Sequence, residues 1–170
     1  MAIRAGACES ACVTIRPLGD SDFDTVLTLN EQSVQQLSPL SSDELAGYLA
    51  MATTAMVSEA DGQIAGFALA FEPGTTYGSI NYRWHAARFD DFLYLDRIAV
   101  RADFRRRGIA SQLYDEMERL ATPRGRMVCE VNSKPPNVES LAFHSRRGYR
   151  ELGHLVQADG HETVMMEKRL

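Results

Sequence analysis

A basic, glycine-containing segment in the middle of the chain has the residue types of an anion-binding turn. It reads Arg105-Arg106-Arg107-Gly108-Ile109-Ala110-Ser111, with small side chains at positions 108, 110 and 111. A helix that begins here would direct unpaired backbone N–H groups and the positive end of its dipole toward a ligand, while the arginines add charge. The segment therefore predicts a diphosphate site and a phosphorylated cofactor. The alternative is a solvated run of surface arginines.

The elements around this segment favour the anion site. Residues 92–100 form an apolar run typical of a central strand, with one carboxylate, Asp96, inside it. After Gly108, apolar residues recur on one helical face, and residues 127–131 predict a second strand. The arrangement is a βαβ unit with the basic turn between strand and helix. The glycine patterns of dinucleotide-binding folds and of nucleoside triphosphatases do not occur in the sequence.

The remaining elements predict a mixed α/β fold. Strands are expected at 13–18, 54–59, 63–71, 149–156 and 162–168, and helices at about 21–36, after Ser41 and after Asn137, with a long loop at 73–91. This order predicts a mostly antiparallel central sheet with one βαβ unit and about four helices. Residues 1–12 lack periodicity and are expected to be a loose leader before one domain, residues 13–170.

Composition excludes several functional classes. The chain has 170 residues, of which 45% are apolar, and this is the size of one globular domain. No apolar run suits a membrane span or a secretory signal, so a cytoplasmic protein is expected. A net charge of -5 disfavours a nucleic-acid partner. Cys8, Cys12 and Cys129 lack a regular spacing, which argues against a disulfide framework and a metal site.

Two motifs in order resemble those of the GNAT N-acetyltransferase superfamily. Ile98-Ala99-Val100, then Arg105-x-x-Gly108-x-Ala110 and a helix, is similar to its acetyl-CoA motif. Downstream, Asn137-x-x-Ser140-Leu141-x-Phe143-x4-Gly148-Tyr149 resembles its second conserved segment. The likeness extends from residue 13 to residue 170. It implies the GNAT fold and an N-acetyltransferase that moves an acetyl group from acetyl-CoA to a primary amine by direct attack in a ternary complex.

The resemblance also implies the cofactor contacts. Backbone amides of residues 106–111 would hold the pyrophosphate, and the strand at 98–100 would pair with the pantetheine arm. The thioester would lie between splayed strands at 92–100 and 126–132, where a β-bulge placed near Ile98 would direct an N–H group at its carbonyl. The full cofactor-binding set is Ile98, Ala99, Val100, Arg105, Arg106, Arg107, Gly108, Ile109, Ala110, Ser111, Asn137, Ser140 and Phe143.

Acetylation of an amine requires a base, because an ammonium with a pKa of about 10 has no lone pair for attack. The candidates are Asp96, Glu130 in the neighbouring strand, and Glu31 on the first helix facing the expected acceptor groove. Asp96 is favoured, since a carboxylate in an apolar strand is costly unless it is paired or used. Strand alternation places Arg97 on the opposite face, where it would be a poor partner. For each candidate the alternative is a structural carboxylate.

The expected acid departs from the family pattern. Many members protonate the leaving thiolate with a tyrosine in the last helix, and His144 stands at that position here. A histidine with a pKa of about 6.5 could donate a proton, or it could be structural. This departure leaves a second hypothesis open, a catalytically weak or inactive acyl-CoA-binding sensor.

The acceptor is expected to contact the aromatic loop at 73–91. Tyr82 and Trp84 offer flat amphipathic surfaces suited to an organic amine, and Glu31 would join them. A small-molecule amine and a peptide or protein amine fit equally well. The same loop could instead form a homodimer contact.

Overall fold

A computed structural model describes residues 13–170, and the predicted leader at residues 1–12 lies outside the described residues, together with Cys8 and Cys12. The strands are β1 (Thr14–Pro17), β2 (Thr54–Ala60), β3 (Gln63–Phe71), β4 (Leu93–Val100), β5 (Arg126–Lys134), β6 (Arg150–Val156) and β7 (Glu162–Arg169). The helices are α1 (Phe23–Glu31), α2 (Ser42–Met51), α3 (Ile80–Ala86), α4 (Ile109–Ala121) and α5 (Val138–Arg146). None of the helices described here combines the length and the apolar composition needed to cross a bilayer.

The seven strands form one sheet in the order β1-β2-β3-β4-β5-β7-β6. Every neighbouring pair is antiparallel except β4 and β5, which are parallel. The predicted mixed sheet with a single βαβ unit is therefore confirmed. The parallel pair has only two registered positions, Leu93 opposite Met127 and Tyr94 opposite Val128, so the two strands separate beyond Tyr94.

The sheet is covered on both faces because its central strands are apolar on both faces. The β3 run is buried from Ala65 to Phe71, as expected for a strand between two packed layers. One face packs against α4 through Ile109, Leu113 and Met117, which recur at helical spacing. The other face packs against α1, α2 and the α3 region. The β4–α4–β5 unit therefore lies at the centre of the packed layers.

The described helix boundaries differ from the sequence prediction at α1. The helix ends at Glu31 and not near residue 36. After Glu31 the backbone forms hydrogen bonds between residues three positions apart, as in a 3-10 turn. Ser33 N donates to Asn30 O at 2.9 Å, and Val34 N donates to Glu31 O at 3.4 Å. Asn30 explains part of this change, because its buried amide donates to Ser38 O at 3.1 Å and draws the chain back on itself.

The predicted loop at 73–91 contains α3, so the described residues form five α-helices and not about four. Ser79 caps the helix, since its hydroxyl accepts a hydrogen bond from Tyr82 N. The helix has seven residues and buries Asn81, Tyr82 and His85. Two turns are too few to give a clear period in a segment rich in glycine and polar residues.

Candidate active site

The separation of β4 and β5 opens a cleft of about 910 Å³ in the middle of the sheet. Its walls come from the α1–α2 connection, the segment that enters α3, the two helices α4 and α5, and the β6–β7 turn. The cleft brings together several of the residues predicted from the sequence, namely Asp96, Ile98, Glu130, Asn137, Ser140 and His144. The predicted base candidates in β4 and β5 thus share one cavity with the predicted acid position.

The basic turn has the backbone geometry of an anion cradle. Arg106 and Gly108 have φ values of 62° and 81°, and α4 begins directly afterwards without a side-chain cap or an acidic residue in its first turn. The unpaired N–H groups of that turn are therefore free to bind an anion. Arg107 pairs with Asp61, whereas Arg105 and Arg106 form no ion pair with any described residue. These features fit the diphosphate of coenzyme A.

The strand before the turn also fits the cofactor. β4 pairs with β3 as far as Val100, but with β5 only as far as Tyr94. The edge of β4 that faces β5 therefore carries backbone donors and acceptors without a strand partner from residue 95 onward. An extended amide-containing chain such as pantetheine can bind along such an edge. At the far side of the cleft, Asn137 caps α5 by accepting from Ser140 N at 3.1 Å, as predicted.

A β-bulge lies at Asp96, two residues before the position predicted for it near Ile98. Leu69 is opposite Arg97 and Ala70 is opposite Leu95, so Asp96 is the extra residue of β4. The bulge interrupts the strand alternation, and Arg97 Nε lies 3.3 Å from Asp96 Oδ2. The expectation that Arg97 points away from Asp96 is wrong for this reason. The two atoms are within ion-pair distance, although they are not aligned as a hydrogen bond.

The Asp96 carboxylate is held at the floor of the cleft. Its side chain is 7% exposed, and Oδ1 accepts from the Tyr77 hydroxyl at 2.7 Å. Oδ2 has no hydrogen-bond donor among the described residues. Burial raises the pKa of Asp96, while the guanidinium of Arg97 and the Tyr77 hydrogen bond act in the opposite direction.

The Glu130 carboxylate lies in the same cleft on β5. Oε1 accepts from Asn81 Nδ2 at 2.9 Å and from the Tyr94 hydroxyl at 3.0 Å, whereas the buried Oε2 has no partner among the described residues. Burial and the nearby charge of Asp96 raise the pKa of Glu130 to about 8. A carboxylate with such a pKa has the proton affinity of a general base near neutral pH.

His144 is buried and both of its ring nitrogens are engaged. Nδ1 lies 2.7 Å from the backbone oxygen of Ser140, which can only accept, so Nδ1 carries the proton. Nε2 is then an acceptor and receives the hydroxyl of Tyr114 at 2.6 Å. Burial lowers the pKa of His144, which favours the neutral ring. In this arrangement the ring presents no N–H group to the cleft.

Apart from the predicted cofactor residues between positions 99 and 111, which lie outside the cleft lining, four of the predicted residues do not line the cleft. Glu31 is exposed at the end of α1. Tyr82 is 3% exposed and donates to Glu72 O at 2.9 Å, and Trp84 packs between the Arg88 guanidinium and Gly153. Phe143 packs edge-on against the Tyr114 ring, with the centroids 5.0 Å apart. The aromatic segment reaches the cleft through Tyr77 and not through Tyr82 or Trp84.

Five residues around the carboxylates and His144 were not predicted from the sequence: Tyr77 as a donor to Asp96, Asn81 and Tyr94 as donors to Glu130, Arg97 as a partner, and Tyr114 as a partner of His144. Periodicity indicates only that Tyr94 and Tyr114 are buried. A hydroxyl on a buried aromatic ring requires a hydrogen-bond partner, and this requirement was the one signal in the sequence that could have indicated these contacts.

Comparison with known proteins shows that the chain and its anion site belong to a defined enzyme family. The family model described as the acetyltransferase (GNAT) family matches residues 25–149, which is well over half of the chain. The chain belongs to the GNAT acetyltransferase family. The predicted acetyl-CoA-dependent acetyltransferase is thereby confirmed at the level of the family. No curated protein matches the chain by sequence.

Solved structures show the GNAT fold at low sequence identity. Ard1 from Thermoplasma volcanium superposes with a TM-score of 0.74 at 19% identity, over 93% of this chain and 97% of that one. Ribosomal-protein-alanine N-acetyltransferase from Brucella melitensis superposes with a TM-score of 0.69 at 20% identity, over 92% of this chain and 99% of that one. A structure of yncA from Salmonella typhimurium with its cofactor acetyl-CoA superposes with a TM-score of 0.65 at 19% identity, over 94% of this chain and 95% of that one.

Proposed function

We propose that this GNAT protein acetylates a primary amine that enters the cleft as an ammonium and attacks acetyl-CoA directly in a ternary complex. The observation that carries the proposal is the pair of buried carboxylates at the cleft floor. Asp96 and Glu130 each have one oxygen without a hydrogen-bond donor among the described residues. Buried acceptors without partners are rare in folded proteins, and an ammonium supplies the missing donors.

The two carboxylates suit different roles. Asp96 contacts Arg97 and the Tyr77 hydroxyl, both of which favour its anion, so it serves to bind the ammonium. Glu130 has no ion-pair partner, and its pKa of about 8 suits a base that takes one proton from the bound amine. The sequence favoured Asp96 as the base. The contacts of the two groups instead support Glu130 in that role, with Asp96 as the anchor.

Acetyl-CoA, when bound, supplies an acetyl group activated as a thioester. The amides that open α4 and the guanidinium groups of Arg105 and Arg106 would hold its diphosphate, and the open edge of β4 would hold its pantetheine chain. His144 has no free N–H group, so we assign it no proton transfer and treat it as the group that fixes Tyr114. A thiolate, with a pKa of about 8.5 for its thiol, can depart without an acid.

The acceptor is proposed only as far as a primary amine. One neighbour with the same fold is a ribosomal-protein-alanine N-acetyltransferase, which supports the inclusion of a peptide with an N-terminal alanine among the test acceptors. Small amines form the other arm of the same test. The homodimer, the cytoplasmic location and the single domain at 13–170 stay predictions.

The test is thiol release from acetyl-CoA in the presence of peptide and small-molecule amines, measured beside acetyl-CoA binding. Release that depends on an amine supports the proposal. Binding of acetyl-CoA without release for any amine, and without labelled product in a lysate, would support the sensor hypothesis. Failure of acetyl-CoA to raise the melting temperature would overturn both.

A further inference from the structure

The guanidinium of Arg97 connects the cleft floor to one of the cleft walls. Arg97 is 5% exposed, and its Nη1 donates to Asn30 Oδ1 at 2.7 Å and to Ser38 O at 2.8 Å. Nη2 donates to Ser38 Oγ at 2.7 Å, and Nε lies 3.3 Å from Asp96 Oδ2. One side chain thus contacts the cleft carboxylate, the last turn of α1 and Ser38 in the segment that follows α1.

That segment forms the wall of the cleft beside Asp96. Residues 34–39 line the cavity, and the backbone from residue 32 to residue 37 forms turns and not helix. The internal support of the segment includes the bond from Asn30 Nδ2 to Ser38 O at 3.1 Å, which converges on the same carbonyl that Arg97 contacts. The position of the wall relative to β4 therefore depends on the Arg97 side chain.

We propose that Arg97 is a positioning residue for the acceptor amine: it fixes the wall at residues 34–39 and pairs with Asp96 at the floor of the same cleft. This inference rests on the proposed function and gives Arg97 a role in placing the acceptor, beyond its contact with Asp96. An arginine suits the task because its planar fork reaches several acceptors at once, whereas a lysine ammonium is a single point of charge.

The charge of Arg97 has a second consequence for the site. Two carboxylates share the cleft, and burial raises the pKa of both, while the charge of the guanidinium offsets part of that rise. Other charged or titratable groups along the cleft are His144, which is buried and favours the neutral ring, and Asp159 and His161, which are exposed in the β6–β7 turn. The weakly acidic groups there are the hydroxyls of Tyr48, Tyr77 and Tyr114 and the thiol of Cys129, and the Tyr94 hydroxyl donates to Glu130. Within residues 13–170, Arg97 is the cation in contact with Asp96, and it acts on Glu130 only through its charge.

The experiment compares Arg97→Lys and Arg97→Gln with Arg119→Gln, an exposed control on α4 whose guanidinium pairs with Glu116. Acceptor KM and kcat are measured from about pH 6 to about pH 10, together with the Kd of acetyl-CoA. Two further measurements need no turnover: the titration midpoint of the Glu130 carboxyl carbon by NMR, and the backbone amide exchange rates of residues 32–39.

The Arg97→Lys variant keeps the charge and loses the fork. Loss of the charge-assisted hydrogen bonds that hold the wall should raise the acceptor KM by about tenfold or more and speed amide exchange in residues 32–39. The Kd of acetyl-CoA should stay at the wild-type value. Arg97→Gln should in addition move the acidic limb of the kcat/KM profile and the Glu130 midpoint to higher pH. The Arg119→Gln control should change none of these quantities.

Three results would overturn the inference. The first is an unchanged acceptor KM and unchanged exchange in Arg97→Lys, and the second is an unchanged Glu130 midpoint in a folded Arg97→Gln. The third is a loss of acetyl-CoA affinity as large as the loss of acceptor affinity, which would indicate general damage to the fold. If Arg97→Gln does not fold, Arg97→Lys alone decides. If the wild type acetylates no amine, the proposed function fails, while exchange and titration still decide the role of Arg97.

Discussion

Replacement of Glu130 by glutamine is the most direct test of the base. The side chain keeps its shape, and the amide oxygen can still accept from Asn81 and Tyr94, which contact Oε1 at 2.9 and 3.0 Å. The substitution removes the ability to take a proton, together with the negative charge of the ionised form. A positioned general base contributes about 10²- to 10⁴-fold to a rate, so Glu130→Gln should lower kcat by that factor with the Kd of acetyl-CoA unchanged.

The pKa of Glu130 also fixes the pH profile of the wild type. With a pKa of about 8, about one carboxylate in ten is ionised at pH 7 and about nine in ten at pH 9. We therefore expect kcat/KM to rise about tenfold per pH unit below pH 8 and to level off above it. A glutamate with an ordinary pKa would give a flat profile through this range.

The assay is thiol release at saturating acetyl-CoA from about pH 6 to about pH 10, with Glu116→Gln on the outer face of α4 as the matched control. A flat wild-type profile would refute the raised pKa. A rising limb that persists in Glu130→Gln would refute the assignment of that limb to Glu130, because the variant has no carboxyl group there to titrate.

The pH dependence of the folding stability gives an independent measure of the pKa of Glu130. The unfolded chain ionises Glu130 near its ordinary pKa of 4.5, whereas the folded chain retains the proton up to about pH 8. The folded state therefore binds more protons in this window, and the contribution of Glu130 to stability falls as the pH rises from 4.5 toward 8. The melting temperature of Glu130→Gln relative to the wild type should accordingly increase across that window. A difference independent of pH would argue against the shift.

Three further predictions concern the carboxylate anchor, the packing of β4 and the anion cradle. Asp96→Asn should raise the acceptor KM and move the acidic limb of kcat/KM to lower pH, because the charge of Asp96 raises the pKa of Glu130; a pH limb that does not move would contradict the coupling. Gly66→Ala places a Cβ 2.7 Å from Ala99 O and should destabilise the fold by about 1–3 kcal/mol, seen as a lower melting temperature, whereas Gly47→Ala, in open space on α2, should not. Gly108→Glu should abolish acetyl-CoA binding, with Gly125→Glu as a control for the cost of a side chain at positive φ; equal affinities in the two variants would refute the cradle.

The βαβ unit was predictable because its signals are local. A continuous apolar run, three arginines, a glycine and a helical period of apolar residues each depend on a few neighbouring positions. The caps at Ser41 and Asn137 were predicted for the same reason and occur in the structure. The helix α3 was missed because its two turns are stabilised by burial of Tyr82 and His85 and not by a sequence period.

The partners of the site residues depend on the fold and were not predictable from spacing. His144 meets Tyr114 from a helix 30 positions earlier, and Asn81 reaches Glu130 across 49 positions. Strand alternation wrongly excluded Arg97 as a partner of Asp96, because the bulge in β4 depends on the register with β3, which the sequence of β4 alone does not specify. The sequence therefore identified several residues of the cleft without identifying the residues that contact them.

One backbone irregularity accounts for the chemistry proposed at the cleft. The bulge at Asp96 lies two residues after Tyr94, the last β4 residue paired with β5. Because a bulge bends its strand and can end pairing, it is placed to open the edge that would bind the cofactor. The same extra residue brings Asp96 and Arg97 within 3.3 Å, which strict alternation would prevent. An unbulged β4 would therefore be expected to lose both the open edge and the compensated carboxylate, so the two halves of the site share one structural origin.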